Sequence, residues 1–339
     1  MVALTVPGMA PLARREIETS LGAQVSTTGF DGRADVVLFD VPRGGVGETL
    51  RLRTTEDVLV EVAVASKENR DSARAVAERL WRPDGVERAL SVWAEHVHPL
   101  ARTMSYRAIV RVLDERSFRR KDLRLELNRA VGRDRPRWRT ADPAQIEFWV
   151  LEYAPGRIVA GLRLSSLTMR QHGGRPAERH GALRPATAAA MVQLAGEPDG
   201  ILLDPCCGSG TILNEARASG WTSRGTDIDP DAVKAARENV HGGAVEVGDA
   251  RAVEMADASV GAWVSNLPFG HQFEIKGDPD EWLKAVLYEA SRVTRPGGHV
   301  VLLAPKVSRK SVPPTLELIE RVPIRLLGLK TSIWAYARA

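Results

Sequence analysis

Ile201-Leu202-Leu203-Asp204-Pro205-Cys206-Cys207-Gly208-Ser209-Gly210-Thr211-Ile212-Leu213 decides the fold. Ile201 to Asp204 reads as a short buried strand that ends on a carboxylate. Thr211 to Ser219 has helical character. Between them Gly208 and Gly210 let the backbone turn sharply and approach a ligand closely. Outward from this unit the pattern stays regular. Helix Pro185–Ala195 precedes it. Strand Ser223–Asp227, helix Pro230–Val240, strands Ala244–Val247 and Val260–Ser265, helix Asp280–Val293 and strand His299–Ala304 follow. Such alternation predicts a mainly parallel, doubly wound sheet. Leu316–Leu327 and Lys330–Ala337, joined at Gly328, predict an antiparallel hairpin that closes it.

The N-terminal half reads differently. Met9, Leu12, Ala13, Ile17 and Leu21 fall at helical spacing before Gly22. Strands are expected at Asp35–Val41, Val58–Ala65, Tyr106–Leu113, Gln145–Tyr153 and Arg157–Leu164. Helices are expected at Asn69–Trp81, Asp84–His98 and Arg119–Val131. This mixed α+β region reads as two small units meeting near residue 66. Thr168 to Gly181 is polar and aperiodic, and reads as the linker to the parallel domain.

The chain has 339 residues, 44% apolar and 27% charged, an ordinary globular balance that excludes disordered and fibrous classes. Its net charge of +4 hides an asymmetry. Residues 1–175 hold 29 basic and 23 acidic groups, and Arg102 to Arg139 alone hold 13 against 5. The rest of the molecule is mildly acidic, so one half can face a polyanion. The two cysteines, Cys206 and Cys207, are adjacent: too few for a disulfide framework or a zinc site, so no metal is expected and a reducing cytosol is the simplest compartment. No apolar run approaches the ~20 residues of a membrane span, and the first residues carry no secretory signal pattern.

The turn after Asp204 is one part of a nucleotide-type site. Asp227 lies 23 residues beyond Asp204, at the end of the next strand, close to the ~20-residue interval for a carboxylate that accepts ribose hydroxyls. Asp249-Ala250, after a further strand, can reach an adenine edge. Dinucleotide enzymes want a third glycine where this chain has Leu213. They also have no use for a carboxylate at Asp204, which would repel a pyrophosphate but accept bonds from an amino group. S-adenosylmethionine therefore fits better than NAD. The blander alternative is that Asp204 only caps its turn. The cysteines read as packing beneath the loop, not as nucleophiles.

Ser265-Asn266-Leu267-Pro268-Phe269-Gly270 follows the fourth strand of the parallel domain. Asn266 offers a side-chain carbonyl, Leu267 a backbone carbonyl held by Pro268, and Phe269 a stacking face. Two acceptors on one exocyclic NH2 would leave its nitrogen lone pair directed at a methyl donor. Positioning and electrostatics then suffice, without an obligatory general base. Alone, the segment could equally be an Asx-Pro turn that ends a strand.

The stretch Asp204–Leu213 with Glu215 resembles the D-P-x-C-G-S-G-T-[IL]-L-x-E motif of RNA N2-guanine methyltransferases. Asn266-Leu267-Pro268-Phe269-Gly270 resembles their [DN]-[LP]-P-[FY]-G motif, with Leu267 where many members carry Pro. Val6-Pro7-Gly8-Met9, Ser117-Phe118-Arg119-Arg120 and Leu183-Arg184-Pro185 extend the likeness over nearly the whole chain. The resemblance implies a Rossmann-like class I methyltransferase domain at 183–339, after a 168–182 linker. A ferredoxin-like region at 1–65 and an RNA-binding THUMP domain at 66–167 would precede it. It further implies S-adenosylmethionine held by Arg184, Asp204, Cys206, Gly208, Gly210, Thr211, Asp227, Ile228, Asp249, Ala250 and Asn266. The catalytic segment would be Asn266, Leu267, Pro268 and Phe269. The expected partner is tRNA, gripped at its acceptor end. The oligomeric state stays open, with a monomer favoured.

For the RNA contact the basic stretch nominates Arg119, Arg120, Lys121, Arg124, Arg133 and Arg137, since arginine forks suit phosphates. Trp138 offers a stacking face. A solvated helix paired with Glu115, Asp122 and Glu126 is the plainer reading. His172, His180 and His271 are assigned no role. The leading expectation is a cytoplasmic tRNA methyltransferase making N2-methylguanosine. An rRNA guanine, an adenine N6 or a protein glutamine amide is the alternative acceptor, and an inactive RNA-binding protein is the alternative class.

Overall fold

A computed structural model describes residues 1–42, 44–172, 174, 176–177, 179, 181–268 and 277–339. The chain divides into two compact units, Met1–Arg170 and Gln171–Ala339, and the division falls inside the expected linker. No helix among the described residues is long and apolar enough to cross a membrane.

The first unit runs β1 (Val2–Thr5), α1 (Ala10–Leu21), β2 (Gln24–Phe30), β3 (Asp35–Asp40), α2 (Val46–Thr49) and β4 (Asp57–Ser66). It continues through α3 (Ala73–Leu80), α4 (Pro83–His96), β5 (Ser105–Arg111), α5 (Arg120–Asp134), β6 (Arg139–Thr140), β7 (Ile146–Ala154), β8 (Arg157–Arg163) and α6 (Leu167–Arg170). Its strands form one sheet in the order β2-β3-β1-β4-β8-β7-β5-β6, antiparallel except where β5 pairs with β6 and β7. The sheet is continuous across residue 66, because β4 pairs with β1 on one side and β8 on the other. One apolar cluster accordingly joins Val2, Leu4, Val36 and Leu59 to Trp149, Leu151 and Val159.

Three strands of this sheet escape periodicity. β1 is only four residues long. β2 (QVSTTGF) is polar, buries only Val25, and carries a bulge between Val25 and Thr27 that breaks its alternation. β6 is a two-residue extension. The basic helix α5 is legible because Leu123, Leu127, Ala130 and Val131 form its buried stripe. Elsewhere in the unit, Lys67 and Glu152 form a buried ion pair at 2.8 Å. The Glu152 carboxylate also accepts from the backbone N–H of Leu113, Asp114 and Gly156. The Lys67 ammonium donates in turn to the Asp114 carbonyl.

The second unit comprises α7 (Pro185–Leu194), β9 (Ile201–Asp204), α8 (Thr211–Ala218), β10 (Thr222–Asp227), α9 (Pro230–Asn239) and β11 (Ala244–Val247). Then come β12 (Val260–Asn266), α10 (Pro279–Val293), β13 (Thr294–Ala304), a short 3-10 turn, β14 (Leu316–Leu326) and β15 (Leu329–Arg338). Asp229 and Asp278 cap α9 and α10 ahead of Pro230 and Pro279, the usual grammar of a helix start. The sheet order is β11-β10-β9-β12-β13-β15-β14, with β9 to β13 parallel and β15 and β14 closing as an antiparallel hairpin. The strand order therefore reverses at β9, and its flank is where an open α/β sheet leaves a crevice beyond its carboxyl ends.

Candidate active site

A cavity of about 540 Å³ occupies that crevice. Gly210 makes the turn possible. Its φ is +82°, and a Cβ there would lie 2.4 Å from the Val240 side chain. Leu213, the residue that breaks the dinucleotide pattern, packs on the next strand instead. A Cβ on Gly225 would meet its Cδ1 at 2.5 Å and the Cys207 Cβ at 3.1 Å.

Three strand ends bring side chains to the cavity. At the end of β9, Asp204 is 1% exposed. Its Oδ1 accepts from Ser265 Oγ at 2.7 Å and the Cys206 N–H at 3.2 Å. Burial raises its pKa to about 7, opposed by those two bonds and reinforced by Asp227. At the end of β10, Asp227 accepts from the N–H of Gly208 at 2.8 Å on Oδ2 and of Asp229 at 3.0 Å on Oδ1. Each oxygen keeps a lone pair for a ligand hydroxyl. Burial raises this carboxyl above its ordinary range as well. Asn266 and Pro268, at the end of β12, form the third wall.

Of the nominated cofactor residues, Asp204, Cys206, Gly208 and Thr211 line the cavity, as do Asp227, Ile228, Asp249, Ala250 and Asn266. Gly210 shapes the turn without lining it. Arg184 is exposed and precedes α7, while its neighbour Leu183 reaches the cavity. Leu267 is buried beneath it, at 4% exposure. Phe269 lies outside the described residues, as do His180 and His271. The thiols of Cys206 and Cys207 are pushed up by burial and by the nearby aspartates, so neither is an activated nucleophile.

Sequence reasoning missed five participants. Ser265 stands beside Asn266 in the motif but offers no signal of its own. Asn239 at the end of α9 donates to the Ser209 carbonyl at 2.9 Å and to the Ala177 carbonyl at 2.8 Å. Arg179, in the aperiodic segment, pairs with Asp229 at 2.5 Å. Arg251 grips Asp249 through both carboxylate oxygens, the shortest contact being 2.6 Å, and holds that carboxyl below its usual range. Its position two residues on was a readable clue. Trp282 of α10 is the aromatic side chain lining the described cavity.

The donor set decides what fits. Among the described residues the cavity lines up Asp204, Asp227, Asp229 and Asp249, and the two arginines that line it are already paired with Asp229 and Asp249. Such a wall disfavours a pyrophosphate and suits a ligand with an ammonium at one end and a ribose at the other. Among the described residues no cluster of metal-ligating side chains occurs.

Residues 172–313 match the family model described as RMKL-like, methyltransferase domain. Over that span the second unit is similar to RMKL-like methyltransferase domains. This domain is related to those of RNA guanine-N2 methyltransferases. The U6 snRNA (guanine-N(2))-methyltransferase THUMPD2 of Bos taurus is 35% identical over 131 residues, which are 36% of this chain and 25% of that protein. The tRNA (guanine(10)-N2)-dimethyltransferase of Methanothermobacter thermautotrophicus is 36% identical over 138 residues, 39% of this chain and 41% of that protein. The chain thus matches well under half the length of these curated relatives. TrmN from Thermus thermophilus superposes with a TM-score of 0.77 at 22% identity, over 100% of this chain and 99% of that one. A possible methylase from Clostridium difficile 630 gives 0.72 at 17% identity, covering 100% and 97%. The methyltransferase domain therefore has the class I, Rossmann-like fold.

In the first unit, Arg119, Arg120, Lys121, Arg124, Arg133 and Arg137 are all exposed. Arg120 has a loose ion pair with Glu115 at 3.6 Å. The other five have no ion pair among the described residues. Trp138 is half-buried beside Tyr106, at 6.3 Å between ring centres, with the Arg135 guanidinium 5.8 Å above it. The stacking face expected of it is already covered on that side.

Proposed function

We propose that this protein transfers a methyl group from S-adenosylmethionine to the N2 amine of a guanosine in RNA, with tRNA as the first substrate to test. One observation carries the reading. A single cavity holds Asp204, Asp227 and the Asn266–Pro268 turn, each at the carboxyl end of a different parallel strand. Asp204 would hold the amino group of the methionine moiety, Asp227 the ribose hydroxyls, and Ile228 with Asp249-Ala250 the adenine. Bound there, the cofactor supplies an electrophilic methyl group. The Asn266 side-chain carbonyl and the Leu267 backbone carbonyl would accept the two hydrogens of the target amine, orienting its lone pair, and the proton lost leaves to solvent.

The substrate class draws support from the relatives, whose printed names specify guanine N2 in tRNA or U6 snRNA. It also draws support from the exposed arginines of α5. On this reading residues 1–65 act as a ferredoxin-like region and 66–167 as a THUMP-type RNA-binding domain that grips the acceptor end, and the enzyme works in the cytoplasm.

The test is direct. Full-length protein, labelled S-adenosylmethionine and either unmodified tRNA or U6 snRNA are incubated, and the RNA is digested to nucleosides. N2-methylguanosine from tRNA is expected. Asn266→Ala should lower the rate by about a hundredfold or more, the scale of losing one aimed polar group, while S-adenosylhomocysteine still binds. Label in N6-methyladenosine, in protein glutamine, or in no product would overturn the assignment.

A further inference from the structure

Ser265 belongs to neither part of the site as the motifs define it, yet it joins the two. It is fully buried at the penultimate position of β12, next to Asn266. Its hydroxyl donates to Asp204 Oδ1 at 2.7 Å, and the Cys206 N–H donates to the same oxygen at 3.2 Å. Among the described residues these are the donors to Asp204, and both end on Oδ1. That oxygen is saturated, so Oδ2 is the one left for a ligand in the cavity that Asp204 lines. β9 and β12 are neighbours in register, Trp263 opposite Leu203, which fixes the distance between the two strand ends.

We infer that Ser265 is the positioning residue of the cofactor site. Its hydroxyl locks the Asp204 carboxylate with Oδ2 toward the ammonium of the bound cofactor, and it ties that grip to the strand end carrying Asn266. The inference rests on the cofactor reading given above.

The surroundings of Asp204 make this bond consequential. Asp227 and Asp249 line the same cavity, the latter held by Arg251, and Arg179 is spent on Asp229. The Cys206 and Cys207 thiols beside it stay neutral. Among the described residues no cation pairs with it. Its pKa of about 7 is already raised by burial, and the Ser265 bond is one of two bonds that restrain it. Without that bond the carboxylate would ionise at still higher pH.

Calorimetry with the full chain tests the assignment with two ligands. S-adenosylhomocysteine carries the ammonium, and 5′-methylthioadenosine lacks the whole amino-acid moiety. Ser265→Ala should weaken S-adenosylhomocysteine about tenfold near neutral pH, the scale of one hydrogen bond to a charged group, and leave 5′-methylthioadenosine unchanged. The wild-type affinity for S-adenosylhomocysteine should rise with pH as Asp204 ionises, and in the variant that rise should move to higher pH. Melting curves check that the variants fold. Ser265→Cys, a weak donor of similar size, should fall between the two and carries the test if the alanine variant does not fold. Equal losses for both ligands would make Ser265 merely structural, and an unchanged S-adenosylhomocysteine profile would remove its role altogether. If the wild type binds neither ligand, the cofactor reading itself fails and this inference with it.

Discussion

Glu152 in the first unit and Asp204 in the second are both carboxylates about 1% exposed, and they are solvated by the protein in opposite ways. Glu152 faces Lys67 at 2.8 Å and takes three backbone N–H bonds. Asp204 takes one hydroxyl and one N–H, and its nearest charged influence is another carboxylate, Asp227. A buried charge satisfied within the fold is a structural tie. A buried charge that is under-satisfied and lines a cavity is waiting for a cation from outside. The largest test of this contrast is Lys67→Met. It strands Glu152 and should cost the first unit about 3 kcal/mol or more, read as a lower urea midpoint. The binding of S-adenosylhomocysteine should be unaffected. A variant as stable as wild type would show that the backbone N–H groups suffice for Glu152 and that the pair is ornamental.

Asp204→Asn should behave in the reverse sense. The group's pKa is about 7 in the folded chain and near its ordinary, lower value in the unfolded chain, so the folded state holds the proton more tightly. The ligand-free protein therefore loses stability through Asp204 as pH rises from about 4 through about 7. Removing the carboxylate should raise the melting temperature at pH 8 and change little at pH 4. It should also weaken S-adenosylhomocysteine by roughly a hundredfold, about 2–3 kcal/mol for a buried bond to a charged partner. Lost stability together with lost binding would mean that Asp204 is a structural tie like Glu152.

The same contrast explains what could be read from the sequence. In the second unit β9, β12 and the end of β13 are apolar runs, and each helix starts at a proline, a glycine turn or an aspartate cap. The elements from Pro185 to Arg338 were therefore legible within a few residues, and so were Asp204, Asp227 and Asn266 at the strand ends. In the first unit β2 hides because its sheet contacts use Ser and Thr. The division near residue 66 crosses a continuous sheet, since pairing between β4 and β8 leaves no local trace. Within the site, Ser265 and Asn239 act through one hydrogen bond or two across chain distances of 30 residues or more, which spacing does not encode. Trp138 illustrates the converse. An aromatic inside a basic run reads as a stacking surface, and its spacing gives no sign that Tyr106 and Arg135 lie against one side of it.

The smallest expected effect belongs to the exposed charges, and it separates the two halves of the chain most cleanly. Arg120 and Arg124 lie one turn apart on α5, both exposed at the margin of its buried stripe, and Arg119 precedes them. None is buried, so changing all three to Gln should leave the fold and the affinity for S-adenosylhomocysteine intact. If each touches one phosphate, log Kd for RNA should lose roughly two to three units of slope against log salt, at about 0.7–0.9 per contact. At moderate salt this amounts to about tenfold weaker binding, which fades further as salt rises because screening already weakens the wild type. Filter binding at several salt concentrations reads both numbers. An unchanged slope would place the RNA elsewhere and leave α5 a solvated face. A fall in cofactor affinity would show that these arginines serve the fold, and the division between a surface that meets RNA and a cavity that holds the methyl donor would then have to be redrawn.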